Sequence, residues 1–345
     1  MKIYWATLIS SFFLFFLPGA HALHLQKIVI FGDSLSDNGN LYMATSAAAW
    51  TAAQLCERFN IGCDTQPPVI PKSPPYYEGR FSNGPVWIEY VAQQLNLTQS
   101  VTQFSDFAYG GAFAASGDPI ESVSNIDLQV QTYLNLYRYE KGKVDRYLFV
   151  IWAGGNDYLN APRDSETTTT LVVNAIQTEI HELIRFGAKQ FLILNLPDLG
   201  LTPFSRAQGP LFTQHVSELI ALHNQKLQAM LTQESKDHTG VQFIGLDILQ
   251  YSNELFTHAD QYQFTNIKDP CYAGNFSLQA PAAVTPKENI SLKEAQLTAN
   301  LTAADFPICN DPDHYFYWDR VHPTRVVHQL LAQYALTTLK EKGVY

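Results

Sequence analysis

The chain has 345 residues, 46% of them hydrophobic and 16% charged, with a formal net charge of -10 at pH 7. This composition supports a packed core and excludes a disordered chain. The acidic balance argues against nucleic acid as a partner and against electrostatic capture by anionic membranes, but not against a lipid reached by apolar contact.

In chain order, residues 1–22 read as a cleavable export signal. Lys2 is followed by an apolar stretch through Leu8, Ile9 and Phe12 to Leu17, then Pro18, then the small-x-small sequence Ala20-His21-Ala22. Cleavage after Ala22 predicts a secreted or periplasmic mature chain, residues 23–345, as a single domain. No later stretch is long and apolar enough to span a bilayer as a helix. Lys27–Phe31 is a short apolar run, β-branched at its centre, and reads as a buried strand. Ser105–Tyr109, Tyr147–Ile151, Phe191–Asn195 and Val241–Leu246 read as further strands. Helical spacing covers Pro85–Leu95, Ile126–Tyr139, Leu171–Phe186 and Leu211–Thr232, and a last helix follows Pro323. Strands alternating with amphipathic helices predict an α/β fold, a parallel sheet with helices on both faces. The ligand site then lies beyond the carboxyl ends of the strands. The regions 44–79 and 256–314 read as irregular insertions, rich in proline and holding all four cysteines.

In an exported chain, four cysteines suggest disulfides, and the two local pairings, Cys56–Cys63 and Cys271–Cys309, are the simplest of three alternatives. No CxxC pair and no histidine at ligand spacing accompanies the cysteines, so neither metal nor cofactor is expected. The segment between Cys271 and Cys309 is long and interrupted by prolines, and it ends shortly before Asp319. It reads either as a lid or rim of the site, held at its base by a disulfide, or as a solvent-exposed excursion.

Four short blocks carry chemistry. Ser34, in Phe31-Gly32-Asp33-Ser34-Leu35-Ser36-Asp37-Asn38-Gly39-Asn40, directly follows a buried strand, where a hydroxyl is well placed to attack if a base takes its proton. In Asp319-Arg320-Val321-His322-Pro323, a carboxylate three residues before a histidine can orient the imidazole and stabilise its protonated form. Gly154-Gly155-Asn156-Asp157 and Tyr109-Gly110-Gly111-Ala112 also follow strands. They can offer an amide side chain and backbone N–H groups to a developing oxyanion. His181, His215 and His223 fall in helical patterns and read as surface or packing residues.

Taken together, FGDSLSDNGN, YGGA, GGND and WDRVHPT resemble the blocks of the GDSL, or SGNH, hydrolase family across nearly all of residues 23–345. The resemblance implies a three-layer α/β/α sandwich with a mostly parallel central sheet, flavodoxin-like, with loop insertions. It implies Ser34 as nucleophile, His322 as general base and Asp319 as its orienting partner. Ser34, Gly111 and Asn156 are implied as the oxyanion hole, with Gly111 fitting better than Gly110. Asp106 departs from the family, which often has Asn there. Gly79-Arg80-Phe81-Ser82-Asn83-Gly84, the extended nucleophile block and Tyr315–Trp318 are similar to the branch of bacterial phospholipases, glycerophospholipid:cholesterol acyltransferases and thermolabile haemolysin-like proteins. A lipase, phospholipase A or lysophospholipase is therefore expected, acting on a lipid or other acyl ester through an acyl-Ser34 intermediate. The resemblance further implies a sterol as an alternative acyl acceptor and transient contact with a membrane or micelle. A carbohydrate acetyl-esterase and a non-catalytic lipid-binding relative are the alternatives; a binding module would need none of Ser34, Asn156, Asp319 and His322.

Overall fold

The computed structural model describes residues 25–345 except 60, 64–66, 99, 101, 116–123 and 275–305. The expected export signal, residues 1–22, and most of the loop between Cys271 and Cys309 lie outside the described residues.

The apolar runs form five strands: β1 (Lys27–Gly32), β2 (Phe104–Asp106), β3 (Tyr147–Trp152), β4 (Gln190–Leu194) and β5 (Gln242–Leu246). Every pairing is parallel, in the order β2-β1-β3-β4-β5. All residues of β1 and β4 are buried, as expected of strands covered on both faces. The helices α2 (Trp87–Gln94), α3 (Ile126–Leu136), α5 (Ser165–Phe186) and α7 (Pro210–Asp237) bury apolar stripes, and so does α9 (Arg325–Glu341). Helices α3, α5 and α7 pack as one group, and α2 and α9 as another. The result is a three-layer α/β/α sandwich. One large core runs through it, with Phe31, Trp87, Tyr133, Phe149 and Phe191 fully buried.

The strand order reverses beside β1: the chain passes from β1 outward to β2, then returns to the other side of β1 as β3. The carboxyl ends of β1 and β3 therefore flank a topological switch point, where open α/β sheets leave a crevice. Gly32 closes β1 against β3. A Cβ there would lie 2.4 Å from the Trp152 carbonyl oxygen, so no side chain fits.

The elements differ from expectation in three places. Helix α5 begins at Ser165, before Leu171, because the Asp164 carboxylate accepts the Thr167 N–H and caps the helix. Residues 44–59, expected to be irregular, belong to α1 (Asn40–Phe59). This stretch is rich in alanine and free of glycine and proline, so it forms a helix without an apolar stripe; only Leu41 is buried. The other expected insertion, 256–314, contains β6 (Asn266–Pro270), which pairs in parallel with β7 (Tyr315–Tyr317), and it overlaps the end of α8 (Ile248–Thr257). Cys56 is joined to Cys63 and Cys271 to Cys309, with Cα–Cα separations of 4.9 and 4.8 Å.

Candidate active site

Ser34, Asp319 and His322 are 288 residues apart at the extremes, yet they meet at the carboxyl end of β1. His322 Nε2 lies 2.8 Å from Ser34 Oγ, and His322 Nδ1 lies 2.8 Å from Asp319 Oδ2. Asp319 is fully buried, and His322 and Ser34 are nearly so. With its proton on Nδ1, toward Asp319, the imidazole accepts the Ser34 hydroxyl at Nε2; the carboxylate geometry favours this tautomer.

Asp319 accepts four hydrogen bonds. Oδ1 takes the N–H groups of Val321 and His322, at 2.8 and 2.7 Å. Oδ2 takes His322 Nδ1–H and, at 2.7 Å, the Tyr76 hydroxyl. Burial alone would raise its pKa. The His322 charge and these hydrogen bonds more than offset burial and hold the carboxyl below the usual range. Tyr76 is buried against Phe81, Tyr272 and Trp318. Sequence reading missed it, because it lies in the expected insertion; its one signal is that it stands just before the Gly79–Gly84 block.

That block anchors the histidine segment. Phe81 packs against the His322 ring at a tilt of 38°, with centroids 5.0 Å apart. Ser82 Oγ donates to the Pro323 carbonyl at 2.9 Å, and Asn83 Oδ1 accepts the Arg325 N–H at 2.7 Å. Trp87 extends the link: its indole N–H donates to Ser36, and its backbone N–H donates to His328 Nδ1. Burial, with the nearby His322 charge, pushes the His328 pKa down to about 3, so this imidazole stays neutral and accepting.

The three glycine-rich blocks are tied together by buried acids. Asp37 accepts the N–H groups of Gly39, Asn40 and Gly110. Gly110 is thus committed to Asp37, which favours Gly111 as the donor facing a ligand. Gly111 itself sits at φ +81°, a conformation that suits glycine. Asn156 Nδ2 donates to the Ala112 carbonyl at 2.8 Å, and Asp157 accepts from Ala114 and Ala115, so Asn156 and Asp157 hold the loop that carries Gly111. Burial raises Asp37 to about 6 and Asp157 to about 7. Asp33, beside Ser34, is likewise raised to about 6 by burial. Burial, then the Asp37 charge, pushes Asp106 well above the usual carboxylate range.

Beside Ser34 opens a pocket whose polar rim includes Ser34, Asn156 and His322. Its walls are largely apolar, among them Leu35, Trp152, Leu159, Ile248, Leu255 and Phe316. The α8 wall was not legible in sequence, since Ile248 and Leu255 carry no motif. His223 is buried, bonds Tyr158 at 2.9 Å and is pushed down to about 3 by burial, which fits a packing role. His215 meets the Pro162 carbonyl.

An imidazole between a buried carboxylate and a serine hydroxyl, on a parallel α/β sheet and beside an apolar pocket, defines the class of serine hydrolases acting on acyl compounds. The chain belongs to the GDSL-like lipase/acylhydrolase family, whose model matches residues 28–335. It is an enzyme of the esterase and lipase kind. It is similar to the phosphatidylcholine-sterol acyltransferase of Aeromonas hydrophila, with 29% identity over 339 residues, covering 92% of this chain and 91% of that protein. It is 25% identical to GDSL esterase/lipase 5 of Arabidopsis thaliana, over 90% of this chain and 82% of the other. It is 27% identical to the thermolabile hemolysin of Vibrio parahaemolyticus over 93% of this chain, which spans 65% of that protein's length. No helix among the described residues is long and apolar enough to cross a membrane.

Proposed function

We propose that the chain is an exported serine hydrolase of long-chain acyl esters, of the phospholipase A or lysophospholipase type, with acyl transfer to a sterol as a second outcome. The observation that carries this reading is the line Asp319–His322–Ser34 ending at the mouth of the apolar pocket.

Ser34 Oγ attacks the acyl carbonyl carbon as its proton passes to His322 Nε2. Asp319 stabilises the imidazolium that results. The carbonyl oxygen, now negative, is met by the Asn156 amide and by the N–H groups of Gly111 and Ser34. The intermediate collapses, the C–O bond to the alcohol breaks, and His322 returns its proton to the departing oxygen. The acyl group remains on Ser34, with its chain against Leu35, Trp152 and Leu255. Water, or a sterol hydroxyl, then gives its proton to His322 and attacks the acyl carbon, and Ser34 leaves with the proton. The first acceptor yields a fatty acid and the second a sterol ester. The similarity to a phosphatidylcholine-sterol acyltransferase and to a GDSL esterase/lipase supports both outcomes, and a pocket too apolar to be needed for an acetyl group supports a long acyl chain. Export is supported by the Lys2–Ala22 segment and by the two cystines, which form and persist in oxidising compartments.

The test is a panel of phospholipids, lysophospholipids and acetylated sugars, assayed with and without cholesterol. We expect kcat/KM to favour long acyl chains by on the order of 100-fold or more over acetyl, since burying only about three to four CH2 groups at about 0.8 kcal/mol each reaches that factor. Cholesterol is expected to divert part of the product to its ester. Hydrolysis confined to acetylated sugars would overturn the assignment.

A further inference from the structure

Helices α5 and α7 pack side by side and end together at the edge of the sheet where β4 and β5 begin, the edge opposite Ser34. Near these ends three ligating side chains converge. His181 Nε2, on α5, lies 3.0 and 2.9 Å from the two carboxylate oxygens of Glu234, on α7. His238 Nε2, one turn beyond Glu234, lies 3.3 Å from the same Oε2. One ligand atom from each of the three residues falls within 4.8 Å of the others. The Glu234 side chain is only 3% exposed, whereas the two imidazoles are 36% and 34% exposed. The triangle is thus rooted in the interior and open to solvent on one side.

We propose that His181, Glu234 and His238 form a structural site for a zinc-like divalent transition-metal ion, which clips α5 to α7 away from the catalytic mouth. Two imidazole nitrogens and one carboxylate oxygen suit zinc and its first-row neighbours; calcium and magnesium favour all-oxygen sets. Helix α7 ends at Asp237, and the N–H of its C-cap residue His238 closes the last turn on the Glu234 carbonyl at 2.9 Å, with the His238 and His181 ring centroids 5.6 Å apart. Gln177, one turn before His181, donates its amide to Glu234 Oε1 at 2.6 Å. That bond fixes the carboxylate and turns Oε2 toward the imidazoles, the kind of outer-shell support that ligands at metal sites receive. Metal–nitrogen bonds of about 2.0–2.1 Å place tetrahedral ligand atoms about 3.3 Å apart. The two edges at Glu234 already approach that length. The His181–His238 edge is at most 4.8 Å, a separation that rotation of two partly exposed rings can adjust to the tetrahedral length. Three protein ligands leave a fourth position for water. Because the cluster lies at the end of the sheet opposite Ser34, the metal would act by holding two helices and not by touching substrate.

The test uses the purified full chain, stripped with EDTA and titrated with zinc sulfate by calorimetry and by thermal unfolding. Expected are one equivalent bound with a Kd of about 1 μM or below, a Tm rise of about a few degrees at saturation, and an unchanged esterase rate. His181→Ala and His238→Ala should each weaken binding by on the order of tenfold or more and remove the Tm shift. His215→Ala, on the same helix as Glu234 but outside the cluster, should keep both. Absence of zinc binding to folded wild-type protein would overturn the proposal. Stoichiometric binding that survives in a folded His181→Ala/His238→Ala variant would also overturn it.

Discussion

At the scale of single residues, the chemistry depends on how Asp319 is held. A buried carboxylate is costly unless its lone pairs are used, and here four donors use them. Two of the donors are backbone N–H groups of the turn that carries His322, so the same turn aims the imidazole and satisfies the acid. The Tyr76 hydroxyl is the one donor that comes from a distant segment. It is a positioning residue, acting on the imidazole through Asp319. Tyr76→Phe keeps the ring and its packing but removes that donor. A hydrogen bond to a charged group contributes about 1.5–3 kcal/mol, part of which is felt when His322 becomes positive. We expect kcat to fall on the order of tenfold, with KM little changed. Steady-state kinetics would check this, and a change in KM alone would show that Tyr76 only shapes the pocket. Ser34, Asp319 and His322 were legible because each stands in a compact local motif. Tyr76 was not, because its partner lies 243 residues away and no spacing rule links them.

At the scale of elements, the 80–84 block clasps the histidine segment, and Trp87 just beyond it ties that segment to the loop of Ser34. Helix α9 has Thr324 at its N-cap without a side-chain cap bond. Asn83 supplies the missing acceptor from another part of the chain, at 2.7 Å from the Arg325 N–H. Asn83→Ala should therefore behave like removal of a helix cap, costing about 1 kcal/mol. Because α9 begins three residues after His322, kcat should also fall. Urea unfolding would read the first effect and ester hydrolysis the second; an unchanged midpoint and rate would show that water replaces the amide without loss. The parallel sheet was legible because its central strands β1, β3 and β4 are near-continuous apolar runs, as a sheet covered on both faces requires. Helix α1 was not, because its helicity comes from alanine propensity and not from a buried stripe. The weak pair β6–β7 was not legible either: Asn266–Pro270 has neither alternation nor an apolar run, and its register is set by contact with Tyr315–Tyr317.

At the scale of the molecule, the strand order places two loops at one crevice. The loop after β1 supplies Ser34, the loop after β3 supplies Asn156, and the final segment brings His322 to them from the far end of the chain. The apolar pocket beside Ser34 is a tertiary product: its walls come from β3, α8, β7 and α9, elements that share no motif. This is why the reaction class could be read from short blocks, while the site's apolar depth emerged only on folding. The central claim is that an acyl group passes through Ser34. The most direct measurement is rapid acid quenching of the enzyme with a long-chain p-nitrophenyl ester, followed by peptide mass spectrometry. An acyl mass on the peptide containing Ser34, lost together with turnover in Ser34→Ala, is the expected result. Turnover near the wild-type rate in a folded Ser34→Ala preparation, or an acyl mass confined to another residue, would contradict it.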